Sequence, residues 1–256
     1  MARQENSAHQ PLPLWLDSRY TKMIFKGNPM TLIVRPEVVD PGEWLWLNSI
    51  ECYQVSYKLS RNQNEMVFLF AAPRIVRKCR RSFTWLDQNA IPVKLSAHHH
   101  ITLTLRWMTK KIEDETLFPT DPRGAVSALY SRVAREANLA ADSREEWLGR
   151  RSGFPKQFDI TCQLMFRQMF RIYAHLYWNH FTDLYHLGLE KELNSCFSHF
   201  LLAATTHSML RQHDLEPMQD LINLWAADGI FPVKSKLHEN ADLDRGKYLL
   251  HRGSTA

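Results

Sequence analysis

A mainly α-helical single domain, a bundle with one small β-hairpin, is what this sequence predicts, and three observations carry that prediction. The stretch 159–187 is free of Gly and Pro and places Cys162, Phe166, Met169, Phe170, Tyr173, Leu176, Tyr177, Leu184 and Leu187 at helical intervals. So much of its circumference is apolar that neighbours must cover it nearly all round, as either a central helix or two helices end to end. Several further segments carry the same 3.6-residue period, whereas only residues 83–95 pair two short apolar runs across turn-forming residues. Finally, 256 residues of which 45% are hydrophobic suffice for one large core.

In chain order, residues 1–12 are polar and are expected to be a disordered tail. From Pro13 a turn or short helix leads to MTLIVRP at 30–36, predicted as a short strand or extended segment that Pro36 ends. Asp40-Pro41-Gly42-Glu43 then marks a helix start: Asp40 can accept from free first-turn N–H groups, and Pro41 sits where no N–H is needed. This helix should run through Trp44, Leu45 and Leu47 toward Tyr53. Residues 54–81 lose the period and are an atypical segment without an assignable element. Asp87-Gln88-Asn89 suggests the hairpin turn. Ser96 can cap a second helix, with Ile101, Leu105, Met108 and Ile112 on one side. Residues 121–150 are rich in Ala and in charges of both signs, and read as an insertion on a finished core. After the central stretch, 189–207 predicts a helix with Leu193, Phe197, Phe200, Leu201 and Ala204 inward. Asp214 is expected to cap a last helix carrying Met218, Leu221, Ile222 and Trp225. The domain is thus 13–232, with 233–256 as a charged, loose tail.

Several function classes are excluded or disfavoured. No run approaches the length of a membrane span, and the first ten residues lack the apolar core of a signal peptide, so a cytoplasmic or nuclear protein with no membrane partner is expected. Four scattered cysteines predict reduced thiols rather than a disulfide scaffold. The net charge of +5 is weak support for a nucleic-acid partner, because the whole excess falls within residues 51–100. Nine glycines, no phosphate-cradling Gly-rich loop, no HExxH and no Gly-x-Ser-x-Gly point away from an enzyme.

Four residues of the central stretch stand out chemically. His175 and His180 are five apart, so on a regular helix their Cβ directions diverge by about 140°. Sharing one metal would then require a π-bulge or a helix end. Buried, hydrogen-bonded histidines are the simpler reading. Arg167, Arg171 and His175 follow one another turn by turn and could clasp a phosphate, or pair with acids of a neighbouring helix. His98-His99-His100 is read as surface imidazoles at a helix start.

The run FRQMFRIYAHLYWNHF, followed by LGLEKELNSCFSHF and DLEPMQDLI, resembles the signature of the Mob family of kinase activators. Upstream, FKGNPMTLIVRPEVVDPGEW, LRWMTKKIEDETLFPT and GFPKQF match the same family in order, so the resemblance spans most of residues 12–230. It implies a non-catalytic helical adaptor that binds the basic N-terminal extension of an NDR/LATS-type serine/threonine kinase through an acidic surface. Glu43 is the position carried over for that surface, with Glu113, Asp114 and Glu115 as additions. It also implies phosphopeptide binding, to a phosphorylated upstream kinase, at Arg167 and Arg171; here the middle position of that motif is Gln168, which is not basic. The family's zinc site would use His175 and His180 with a C-x4-C pair. That pair is missing, and Cys52 and Cys79 are the only cysteines near its place in the chain. Two rival readings accompany the resemblance: a degenerate paralogue that keeps the fold without activating a kinase, and an anionic-surface or nucleic-acid binder using Arg74, Arg77, Lys78, Arg80 and Arg81.

Overall fold

A computed structural model describes residues 12–24, 29–58, 82–86, 91–118 and 147–254. Its regular elements are α1 (Pro41–Lys58), β1 (Ser82–Leu86), β2 (Pro92–Ser96), α2 (Ala97–Ile112), α3 (Phe158–His186), α4 (Glu190–Thr206), α5 (Gln212–Leu215), α6 (Gln219–Ala227), α7 (Lys236–Glu239) and α8 (Leu243–Ser254). The architecture is mainly helical with one two-stranded antiparallel sheet, in which Phe83 faces Leu95 and Trp85 faces Val93.

The central stretch is one uninterrupted helix of 29 residues. Its buried face, Cys162, Phe166, Met169, Phe170, Tyr173, Leu176 and Tyr177, meets Phe197 and Phe200 of α4. Tyr173 lies 5.0 Å from Phe197 and 5.3 Å from Phe200, Phe166 lies 5.5 Å from Phe200, and Trp225 of α6 closes the cluster 6.0 Å from Phe197. Interlocking rings of this size each bury a large apolar area. Leu187 departs from the expected pattern: it lies at the helix end and is exposed.

Two helix starts form as their residues dictate. Asp40 is buried and its Oδ1 accepts from the N–H of Gly42 at 2.7 Å, and Ser96 Oγ accepts from the N–H of His99 at 3.3 Å. Across the bundle, the Tyr53 hydroxyl lies 2.6 Å from that of Thr109 and joins α1 to α2.

Four expectations are corrected. The run around Leu32 is no strand but a single 3-10 turn, Pro29–Leu32. Only Ile33 of that run is buried, while Leu32 and Val34 face solvent, so the run presents a single side chain to the core. Asp214 does not cap the helix that carries Trp225. It sits within α5, where Oδ2 accepts from the Arg211 N–H at 2.9 Å, and α6 begins only at Gln219. Residues 233–256 are not loose, because 236–239 and 243–254 are the helices α7 and α8, and α8 lies along α6. The 121–150 boundary also moves. Residues 119–146 lie outside the described set, but Trp147 donates from Nε1 to the Phe154 carbonyl at 2.8 Å and so belongs to the turn that precedes α3. The tail 1–11 and most of the atypical segment, 59–81, likewise lie outside the described residues, while 54–58 complete α1.

Two close backbone approaches position these parts. A Cβ on Gly42 would overlap Gly149 Cα, and Gly149 itself has φ +78° beneath the Phe154 ring. The N-terminal segment is fastened by α4 and α6: Asn194 Nδ2 donates to the carbonyls of Tyr20 and Lys22 at 2.8 and 2.9 Å, and Trp225 Nε1 donates to that of Thr21 at 3.2 Å.

Candidate functional site

The polar residues singled out in the central stretch lie on α3. His175 and His180 are both buried, and their ring centroids are 5.1 Å apart. Convergence needs neither a π-bulge nor a helix end, since α3 is regular through both positions; two side-chain torsions swing each ring across the gap that the Cβ directions leave. The amide nitrogen of Asn179 lies 3.1 Å from His175 Nδ1, and His180 Nδ1 lies 3.4 Å from Asp183 Oδ2. Burial lowers the His180 pKa below the ordinary histidine value, with Asp183 opposing, so the ring is held neutral.

A tetrahedral zinc takes four ligands. The described residues bring together two imidazoles and no group of three or more His, Cys, Asp or Glu side chains that could hold a metal. Cys52 is packed in the core, its thiol pushed up to about 12 chiefly by burial, with smaller contributions from Glu51 and Cys196. It does not join the histidines. Cys79 lies outside the described residues. Among the described residues the donors brought together are two, short of the four that a tetrahedral zinc takes.

Arg167 and Arg171 have different surroundings. Arg167 Nε lies 3.6 Å from Asp214 Oδ2, an ion pair with a neighbouring helix. Arg171 is exposed and lines a cavity of about 400 Å³ with Phe83 and Thr84 of β1, His100 and Ile101 of α2, and Phe170, His175, Trp178 and Asn179 of α3. His100, expected from the sequence as a surface imidazole at a helix start, is half-buried. It stacks on Phe83 at 5.1 Å, and Phe83 in turn stands edge-on to His175 at 5.2 Å. Burial first, and then Arg171, lowers the His100 pKa. No spacing rule links a strand, a helix start and a mid-helix position; only the hairpin's return onto α3 does.

The acidic positions lie apart from this cavity's lining. Glu43 occupies the first turn of α1, half-buried, its N–H 3.4 Å from Asp40 Oδ1. Glu113 caps the end of α2 and is exposed, as is Glu115. Asp114 is committed to the following turn: its Oδ1 accepts from the Thr116 hydroxyl at 2.6 Å and N–H at 3.1 Å. The Thr116 hydroxyl bond holds the Asp114 carboxyl below the usual carboxylate range. The turn delivers Leu117 and Phe118 to the core, where Phe118 packs edge-on against Phe158 at 5.6 Å. The basic residues between Arg74 and Arg81 lie outside the described residues. Among the described residues no helix is long and apolar enough to cross a membrane.

The model of the Mob1/phocein family matches residues 21–138 and 133–218 of this chain. The chain belongs to the Mob1/phocein family. Similar Mob proteins include the maintenance of ploidy protein mob2 of Schizosaccharomyces pombe, 29% identical over 230 residues that cover 87% of this chain and 80% of that protein. The CBK1 kinase activator protein MOB2 of Saccharomyces cerevisiae is 30% identical over 88% of this chain and 69% of its own length. Its Candida albicans namesake is 29% identical over 88% of this chain, which spans 63% of that protein. The last two names describe activators of a kinase rather than kinases.

Proposed function

We propose that this Mob protein is a coactivator of an NDR/LATS-type serine/threonine kinase, holding the kinase's basic N-terminal extension against an acidic surface that includes Glu43. The reading is supported above all by the yeast relatives named as activators of the CBK1 kinase, which align with nearly the whole chain. The local geometry agrees with it. Glu43 projects from a helix start braced by the buried Asp40 and by the Gly42–Gly149 contact, so its carboxylate is presented from a rigid base. Glu113 and Glu115 are exposed and can extend the negative surface, whereas Asp114 serves its own turn. Charges placed this way raise the encounter rate and select the partner more than they add raw affinity. The cytoplasm or nucleus is where such a kinase would be met.

The test is a pull-down with the basic N-terminal extension of an NDR-type kinase. Glu43→Lys should weaken capture by about tenfold at physiological salt, and more at low salt, while leaving the melting temperature unchanged. Capture indifferent to this charge reversal would remove Glu43 from the contact surface.

A further inference from the structure

The outward side of α2 carries a row of cations with one apolar residue set among them. Ile101, Thr104, Leu105 and Met108 are buried, and His99, Leu103, Arg106 and Lys110 fall on the side turned away from them. His99, Arg106 and Lys110 are exposed. Leu103 is half-buried and is not one of the side chains packed against the core cluster. Neither α2 nor β1 and β2 before it contains an Asp or a Glu. Among the described residues no ion pair or side-chain hydrogen bond engages Arg106 or Lys110, and Glu113, three residues beyond Lys110, makes no ion pair with it.

The helix itself accounts for part of this row. Lys110 stands in the last turn, where a cation meets the negative end of the helix dipole. Arg106 stands before that turn, outside the reach of that field, and four residues ahead of Lys110, where like charges on a helix repel. A pair of anions laid along the row would turn that repulsion into attraction.

The spacing fits one kind of occupant. Along the axis Lys110 and Arg106 are about 6 Å apart, the interval between residues four apart on a second helix, and Leu103 lies about 4.5 Å further on. A helix lying antiparallel meets the three in turn with a glutamate, a second glutamate four residues later, and an apolar residue three beyond that. Antiparallel placement also sets the positive first turn of that helix, where acidic side chains are favoured, beside the negative end of α2. A nucleic-acid backbone would answer both charges but leave Leu103 without an apolar partner.

We propose that the outward row of α2 docks an acidic helix of a partner protein, with a Glu-x-x-x-Glu-x-x-Leu pattern placing its carboxylates on Lys110 and Arg106 and its leucine on Leu103. The surface uses neither Glu43 nor residues 113–115, so it stands independently of the kinase reading.

The full chain is titrated, by chemical-shift perturbation at millimolar peptide, with a blocked helical peptide of about 18 residues, built on alanine and glutamine and carrying one such pattern. Analogues replace both Glu by Gln, both Glu by Lys, or Leu by Ala. Saturable binding with shifts centred on residues 103–110 is expected, about fivefold weaker for the Gln analogue and about threefold weaker for the Ala analogue. Arg106→Gln combined with Lys110→Gln should bind the Glu and Gln peptides alike; both positions are exposed, so this double variant should melt with the wild type. Arg106→Glu combined with Lys110→Glu should take the Lys peptide in preference to the Glu peptide. Equal affinity of the wild type for the Glu and Gln peptides, absence of saturation, or shifts centred elsewhere would each overturn the proposal. So would a single-stranded oligonucleotide, or vesicles containing phosphatidylserine, bound about tenfold more tightly than the peptide, because the row would then be a general polyanion surface.

Discussion

Asn194 has every side-chain atom committed: Nδ2 donates to the Tyr20 and Lys22 carbonyls, and Oδ1 accepts from the Tyr177 hydroxyl at 2.8 Å. The residue is 1% exposed, so Asn194→Ala would leave the buried Tyr177 hydroxyl and two part-buried carbonyls without this partner. It should cost roughly 2–4 kcal/mol in urea unfolding and loosen the N-terminal segment first, readable as faster amide exchange near Thr21. Two histidines make a second prediction. Burial lowers the pKa of His207, assisted by Lys236, and burial lowers that of His199 against the pull of Glu51. Each therefore binds fewer protons folded than unfolded. Their contribution is intact above the unfolded value near 6.5 and is lost as pH falls through the lower folded values. Melting temperature should fall below pH 6.5, and His207→Gln should flatten that fall; an unchanged pH profile would show that His207 does not drive it. Residue roles were unequally legible in the chain. Helical spacing and family pattern pointed to His175, His180, Arg167 and Arg171. Asn194 and His100 act through partners more than 170 residues away or on a strand, where no local pattern reaches.

Helices were read well wherever their apolar period was dense, as in α3, or their cap was marked, as with Asp40 and Ser96. Helix α8 escaped because its contact face is built from Leu243, Gly246, Leu249 and Leu250, with a glycine at its centre and mostly charged residues elsewhere. That glycine is the reason the helix fits. A Cβ at 246 would overlap the Asn223 carbonyl oxygen, while Arg245 grips Asp220 beside it through Nε at 3.0 Å and Nη2 at 2.8 Å. Gly246→Ala raises helix propensity yet should destabilise by about 1–3 kcal/mol in denaturant unfolding, because the backbones must part. A stabilised Gly246→Ala variant would show that propensity outweighs the clash. The run around Leu32 erred the other way. It has strand composition, but propensity yields where only one of its side chains finds a core.

For the whole molecule, the helical bundle and its hairpin follow from pattern, whereas the way its ends are tied does not. The family match stops at residue 218, and α6, α7 and α8 continue past it. Leu237 and Leu249 are buried there, so deleting residues 233–256 should lower stability by about 3 kcal/mol or more and expose the α6 face to aggregation. Chemical denaturation of the shortened chain measures this, and an unaltered midpoint would return the segment to the status of a tail. The meeting of Gly42 with Gly149 has a separate evolutionary consequence. Two bare backbones touching bring the segment that enters α3 against the start of α1 with no side chain between them. A side chain gained at Gly42 would push the two segments apart and turn the helix that carries Glu43.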